Sequence, residues 1–174
     1  MKLLKEISDK SLGKSDSEIL GKTYKLRKSA RGVLLNDKNE VAIQYVSKWN
    51  YHKLPGGGID PGETVEEGLK RELVEEVGCD CEIVEELGLI IEYRVEQELL
   101  HMSHGYICRV KGEVGEPSYE QGEIDAGFKT VWVPLDEAIV LIDIKEYPEN
   151  IYQAKSIIER ETTFLKEAKR ILNR

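Results

Sequence analysis

An α/β/α sandwich over a mixed β-sheet is the fold class this sequence predicts, and three observations carry it. Runs of β-branched and aromatic residues lie on both sides of one well-marked central helix, and a second, longer amphipathic pattern closes the chain. At 174 residues the chain holds one well-buried core and is short for two. Strands around a central helix with another helix at the end bury their apolar faces best as layered sheet and helices.

The elements follow in order. Residues 1–22 mix Lys, Ser, Asp and Glu with sparse aliphatics (Leu3, Leu4, Ile7, Leu12, Ile19, Leu20). They read as an N-terminal extension, laid as a strand or short helix against a single domain at 23–174. Residues 30–35 and 41–46, joined by Asn36-Asp37-Lys38-Asn39, read as a β-hairpin. The loop 47–53 is aromatic and polar (Trp49, Tyr51, His52) and leads through Leu54 and Pro55 into a turn rich in glycine (Gly56, Gly57, Gly58, Gly62). Thr64 and Glu67 make a capping box, so a helix starts there, runs to about Val77, and ends at Gly78, which tolerates the left-handed conformation. Residues 81–84, 87–95 and 101–110 are strand candidates, and 112–127 reads as a long acidic loop. A last strand at 129–133 precedes a short helix through Ile142. The closing helix, about 150–171, carries Ile151, Ala154, Ile158, Leu165, Ala168 and Leu172 at three- and four-residue steps. That stripe reads as a face packed on its own sheet, with a homodimer seam as the alternative.

Composition narrows the function. The net charge of −8 and pI near 5.1 oppose a nucleic-acid polymer as partner. They do not oppose a small phosphate ligand, because bound divalent cations invert the local charge. Cys79, Cys81 and Cys108 form neither an even set nor a CxxC, which suits reduced thiols in a cytoplasmic setting. MKLLKEISDK lacks an apolar core of signal-peptide length, and no apolar run approaches a membrane span, so neither secretion nor membrane insertion is expected.

The chemistry gathers on the central helix. Val65, Leu69, Leu73 and Val77 form one apolar arc, and Glu72, Glu75 and Glu76 share the face beside it. Carboxylates three and four apart repel by roughly 0.2–0.5 kcal/mol per pair, and in the last turns the helix dipole disfavours them again. A solvated acidic face is the bland account of such a cluster. Its place after an exposed glycine turn suits instead a hard cation such as Mg²⁺ or Mn²⁺. His101 and His104, three apart on a strand, point to opposite faces, which opposes a shared zinc site.

The spacing G-x5-E-x7-R-E-U-x-E-E-x-G-U is matched by Gly57, Glu63, Arg71, Glu72, Leu73, Glu75, Glu76, Gly78 and Cys79, and this resembles the Nudix box. Cys79 stands where an aliphatic residue is commoner, and a buried thiol behaves as a small hydrophobe. The flanking strand pattern extends the resemblance over about residues 28–145. It implies the sandwich fold above and a hydrolase that cleaves a nucleoside diphosphate linked to another moiety, with water attacking phosphorus. It implies Glu72, Glu75 and Glu76 as ligands of Mg²⁺ or Mn²⁺ with the Gly56 carbonyl as a further ligand, one of Glu72 and Glu75 being alternatively the general base. Glu63 and Arg71 are implied as a buried pair locking the glycine turn to the helix. Relatives add an acid from a later loop; Glu120, Glu123 and Asp125 are the candidates here, Glu123 foremost as a catalytic group.

Trp49, Tyr51 and His52 are candidate base contacts, His52 standing where relatives often have Trp. Many ADP-ribose hydrolases carry a Pro about sixteen residues beyond the box, and here that residue is Val95. A nucleoside triphosphate, with 8-oxo-dGTP as the single leading substrate, therefore precedes ADP-ribose and dinucleoside polyphosphates. A non-catalytic nucleotide-binding module and an adaptor acting through the last helix are the competing classes. The intact carboxylate cluster argues against the first, and a size measurement at several concentrations addresses the second.

Overall fold

The computed structural model describes residues 1–13, 21–144 and 154–174. The capping box forms in both directions: the Glu67 amide donates to Thr64 Oγ1 at 3.2 Å, and the Thr64 amide donates to Glu67 Oε2 at 2.8 Å. Helix α1, Val65–Val77, starts there and ends at Gly78, whose φ of 80° is left-handed. Its buried arc, Leu69, Leu73 and Val77, packs on one face of a seven-stranded mixed sheet.

The strands are β1 (Leu3–Ser8), β2 (Lys25–Leu35), β3 (Glu40–Val46), β4 (Tyr51–Lys53), β5 (Asp80–Arg94), β6 (Leu99–Lys111) and β7 (Phe128–Pro134). Their order is β1-β5-β6-β2-β3-β4, with β7 on β3. On the other face lie α3 (Leu135–Ile142) and α4 (Ala154–Leu172), around Ile142, Phe164, Leu165 and Ala168. The architecture is the expected sandwich, and the apolar stripe of α4 packs on its own sheet. The expected start of that helix, residues 150–153, lies outside the described residues.

Three local expectations differ. The hairpin of β2 and β3 is bonded only at Leu35 and Val41; beyond that pair the strands part. The glycine turn inserts beside β2 instead, with the Ala30 amide donating to the Gly57 carbonyl, Gly32 to Pro55, and Ile59 to Lys28. Strand β2 finds its main partner in β6, parallel and in register along its whole length. The two strands expected at 81–84 and 87–95 are one bulged strand, β5. Its Gly88, at φ 144°, admits the carbonyl of Lys2, which a Cβ would meet at 2.6 Å. Residues 3–8 thereby join the sheet as β1, parallel to β5. Finally, the acidic loop contains a short helix, α2 (Gln121–Ala126), capped reciprocally by Glu120 and Glu123.

All three cysteines are free thiols buried in the core. Among the described residues no helix is long and apolar enough to cross a membrane.

Candidate active site

The cleft that collects the chemistry has a volume of about 210 Å³ and is lined by the glycine turn, three acids of α1, two acids of the α2 region, and three cations, Arg27, Arg31 and Lys53. Gly56 holds a φ of 121°, and a Cβ there would stand 2.3 Å from the Ala30 carbonyl oxygen. Only glycine fits. The Gly56 amide then donates to Glu76 Oε2 at 2.6 Å while Lys53 Nζ donates to Glu76 Oε1 at 2.9 Å. Glu76 is 1% exposed, so both oxygens of a buried carboxylate are satisfied within the protein. At Gly57 a Cβ would come within 2.4 Å of the Glu72 carboxylate. The bare glycine is what lets Glu72 lie against the turn. Burial, and then the neighbouring Glu76, push the Glu72 carboxyl above its ordinary range.

Arg71 ties the motif together. Its Nε and Nη2 grip the two oxygens of Glu63 at 2.8 and 3.1 Å, its Nη2 reaches the Gly58 carbonyl at 2.9 Å, and its Nη1 lies 3.1 Å from both Glu72 and Glu75. Bidentate contact of this kind locks the turn to the helix. The pair is half-buried rather than buried, with side chains 28% and 23% exposed, because this end of the turn opens to solvent. The bond from Glu63 raises Arg71 above its ordinary value and Arg71 lowers Glu63.

A second element supplies acids from outside the motif. Residues 112–120 lie along the C-terminal end of α1, with the Ser118 amide donating to the Glu75 carbonyl at 2.7 Å and the Gly115 amide to Gly78 at 2.9 Å. Gln44 Nε2 and Thr130 Oγ1 both donate to the Glu76 carbonyl, at 2.9 and 2.8 Å, and the Tyr119 hydroxyl donates to Gln44 Oε1 at 3.1 Å. So anchored, the segment brings Glu120 and Glu123 to the cleft. Burial, then hydrogen bonding to Glu76 and its charge, push Glu123 up to about 7. Asp125 points elsewhere, accepting from Gln121 Nε2 at 2.8 Å.

Crowded carboxyl groups whose proton affinity is raised by one another are the electrostatic mark of a place that favours a cation. Their hard oxygens suit a divalent ion. The side chains are not drawn onto one point, however, and among the described residues no three acidic, His or Cys groups form a ready-made coordination set. Arg71 spans Glu72 and Glu75, and Lys53 holds Glu76. An ion seated here would need Glu72 and Glu75 drawn away from Arg71 Nη1, while Nε and Nη2 hold Glu63 and the Gly58 carbonyl.

Trp49 and Tyr51 are brought together, and His52 stands apart from them. Trp49 and Tyr51 pack in a small cluster with Val46, Ala126 and Phe128, and Trp49 is covered by Lys48 Nζ at 5.1 Å from the ring centre. His52 stacks on Tyr45 at 4.9 Å between ring centres. None of the three lines the cleft; alternation along β4 turns His52 to the face opposite Tyr51. His101 and His104 likewise part: His101 is buried against Ser29, and His104 Nδ1 lies 3.1 Å from the Ser29 carbonyl on the other face.

Three cleft residues were not legible as site residues from sequence: Arg27, Arg31 and Lys53. The available signal was the run KLRKSAR in an acidic chain, with two arginines four apart and therefore on one face of a strand. A larger cleft of about 420 Å³ lies against α4, lined by Lys5, Leu12, Asp143, Ile158 and Lys166 among others. It has no glycine turn, and the two carboxylates that line it, Asp143 and Glu159, are paired with Lys166 and Lys5; the smaller cleft is the candidate for the chemistry.

The NUDIX domain matches residues 25–155, most of the chain, and the chain belongs to that family. A Bacillus subtilis (strain 168) protein provisionally named an 8-oxo-dGTP diphosphatase is 30% identical over 104 residues, which is 58% of this chain and 62% of that protein. An RNA pyrophosphohydrolase of Pseudomonas putida (strain GB-1) is 35% identical over 79 residues, 44% of this chain and 50% of that protein. The match thus spans about half to three-fifths of these curated relatives. Among solved structures, the E. coli ORF135 protein superposes with a TM-score of 0.58 at 17% identity, covering 85% of this chain and 91% of that one; at that identity the likeness is one of fold.

Proposed function

We propose that this chain is a hydrolase that cleaves a phosphoanhydride bond of a nucleoside triphosphate with the help of Mg²⁺ or Mn²⁺, and that an oxidised purine triphosphate such as 8-oxo-dGTP is its leading substrate. The carrying observation is the juxtaposition in one cleft of Glu72, Glu75, Glu76, Glu120 and Glu123 with Arg27, Arg31, Lys53 and the turn 56–58. Glu72, Glu75 and Glu76, with the Gly56 backbone, would hold the divalent ion, which neutralises pyrophosphate charge and acidifies bound water. The protein's own part is positioning. Gly56 and Lys53 fix Glu76, Gly57 gives Glu72 its place, and the Tyr119 anchor presents Glu123, whose raised proton affinity suits a group that takes a proton from water near neutral pH. Arg31 and Lys53 offer fixed positive charge to phosphate oxygens.

The names of the relatives support a nucleotide phosphoanhydride as substrate, and the 8-oxo-dGTP assignment leans on one of them. The deciding experiment is a panel of nucleoside triphosphates, 8-oxo-dGTP, ADP-ribose, NADH and dinucleoside polyphosphates, scored by kcat/KM with Mg²⁺. Turnover should vanish in EDTA, return with Mg²⁺, and be highest for 8-oxo-dGTP. ADP-ribose ahead of every triphosphate by about tenfold or more would replace the substrate; full activity in EDTA would defeat the mechanism.

A further inference from the structure

Gln44 is a wholly buried amide in the middle of β3, a strand whose other buried residues are apolar. The register of the sheet accounts for it. Gln44 lies opposite Lys53 of β4 on one side and opposite Thr130 of β7 on the other. Residues directly opposite one another share a face, so the three side chains stand in one row across three strands, on the face that α1 covers. All three donate to a single residue of α1. Lys53 Nζ reaches Glu76 Oε1 at 2.9 Å, Gln44 Nε2 reaches the Glu76 carbonyl at 2.9 Å, and Thr130 Oγ1 reaches the same carbonyl at 2.8 Å.

A fourth side chain closes the set. Gln44 Nε2 also donates to Thr130 Oγ1 at 3.0 Å, and the Tyr119 hydroxyl lies 3.1 Å from both Gln44 Oε1 and Thr130 Oγ1. The amide brings two protons and each hydroxyl one. With the amide protons on the Glu76 carbonyl and Thr130, the Thr130 proton on that carbonyl and the Tyr119 proton on Gln44 Oε1, every donor is used. The amide cannot turn over without setting its own oxygen against the Glu76 carbonyl, so the set locks in one arrangement. It then runs on into the acids. Tyr119 is followed by Glu120, whose amide donates to Glu123 Oε2 at 2.9 Å, and Glu123 bonds the Glu76 carboxylate. Glu76 is reached through its carbonyl and through its carboxylate by one closed circuit.

We propose that Gln44, Thr130 and Tyr119 are positioning residues for the reaction. The sheet row fixes the height and direction of Glu76, and the Tyr119 hydroxyl carries that position to α2, so the gap between the carboxylates of α1 and Glu123 is set from the sheet. The three stand outside the cleft lining and act through Glu76 and Glu123. Apolar residues of the same shape would fill the row at little cost in stability; what the polar set adds is direction. The effect on rate rests on the hydrolase reading, whereas the geometry is read separately.

Three measurements on the full chain test this: kinetics with Mg²⁺ on the best-cleaved compound of the substrate panel, melting temperature, and hydrogen exchange at the Glu123 and Ile124 amides, which bond the Glu120 carbonyl. The variants are Tyr119→Phe, Thr130→Val, their double, Thr130→Ser and Tyr45→Phe. Tyr119→Phe and Thr130→Val should each lower kcat by about tenfold or more and leave KM within about twofold of wild type. Each should melt at most about 6 °C lower, the worth of one hydrogen bond in a chain of this size. The double variant should lose little more than the worse single one, because both break the same set. Thr130→Ser keeps the hydroxyl and should keep most of kcat. Tyr45→Phe removes a hydroxyl that bonds Asn50 at 3.0 Å on the other face of β3 and should leave kcat intact. Unchanged kcat in Tyr119→Phe, additive losses in the double variant, or an equal loss in Thr130→Ser and Thr130→Val overturns the proposal. A chain that cleaves nothing in the panel defeats the hydrolase reading, and exchange then decides the positioning claim. Faster exchange at Glu123 and Ile124 in Tyr119→Phe and Thr130→Val but not in Thr130→Ser upholds it; unchanged exchange in all of them overturns it.

Discussion

Two adjacent glycines should fail in different ways when each is replaced by alanine. At Gly57 the nearest atoms the new methyl meets are those of the Glu72 carboxylate, at 2.4 Å. That group is the end of a flexible side chain and can retreat by about an ångström, so the fold survives. A displacement of that size in a reacting group costs about 10²-fold in rate. At Gly56 the methyl meets the backbone carbonyl of Ala30 at 2.3 Å, and the residue sits at φ 121°. Backbone strain of this kind costs about 1–3 kcal/mol and overpacking a similar amount. At roughly 2–4 °C per kcal/mol for a chain of this size, Gly56→Ala should melt about 10 °C lower. Differential scanning calorimetry and steady-state kinetics on both variants make the comparison. Gly57→Ala should keep a melting temperature near that of wild type and lose kcat; Gly56→Ala should lose both. A Gly57→Ala protein with unaltered kcat would show that the place of Glu72 on the turn is irrelevant to turnover, and the site argument would fail with it.

Other consequences are as concrete. Arg71→Ala should lower activity and melting temperature together, since one guanidinium holds Glu63, the Gly58 carbonyl and two acids of α1; an unchanged melting temperature would refute its locking role. His101 should make the fold acid-sensitive. Burial holds its imidazole neutral, its value falling from 6.5 to about 4, so the unfolded chain binds the proton first. The associated stability, about 3 kcal/mol, is fully present above pH 6.5 and is lost as the pH falls toward 4. Urea midpoints from pH 7.5 to 4.5 should therefore drop more steeply for wild type than for His101→Gln, and parallel curves would exclude His101 as the cause. Burial alone would raise Glu92, but Arg160, and after it His101 and Arg94, hold it far below the carboxylate range. Its contribution is accordingly lost at lower pH, below about 4.5.

What was legible in the sequence was what local interactions decide. The capping box, the apolar arc of α1 and the left-handed Gly78 involve residues within four positions of one another, and all three are present as read. The hairpin of β2 and β3 was misread because its disruption is non-local: the strands are separated by a turn that follows β4. Helix α2 is not legible because it is only six residues long, with Gly122 inside it and glutamate rather than serine or threonine as its cap. Arg31 was silent for the same reason as the hairpin, since its partner Glu161 lies 130 residues away. Sequence spacing also treats Trp49, Tyr51 and His52 as one aromatic group, whereas the core around Val46 takes Trp49 and Tyr51 and strand alternation turns His52 away from them.

The placing of three glutamates in the last turns of α1 still requires an account, because the helix dipole and their mutual repulsion both oppose it. The account is structural. The carbonyls at that end of the helix, the source of the unfavourable field, are met by donors from elsewhere: Ser118 on Glu75, Gln44 and Thr130 on Glu76, Gly115 on Gly78. Each of these hydrogen bonds reduces the exposed negative end of the dipole just where the acids sit. The segment that supplies two of them, 112–120, runs on directly into Glu120 and Glu123. One set of backbone contacts therefore makes the acidic helix end tolerable and fixes the position of the acids that face it. Loosening that segment should cost stability and geometry at once, so a Ser118→Pro chain, which removes the donor to Glu75, should lose helix-end protection from hydrogen exchange in step with its loss of kcat. Full kcat with the protection gone would separate the two roles and refute the coupling.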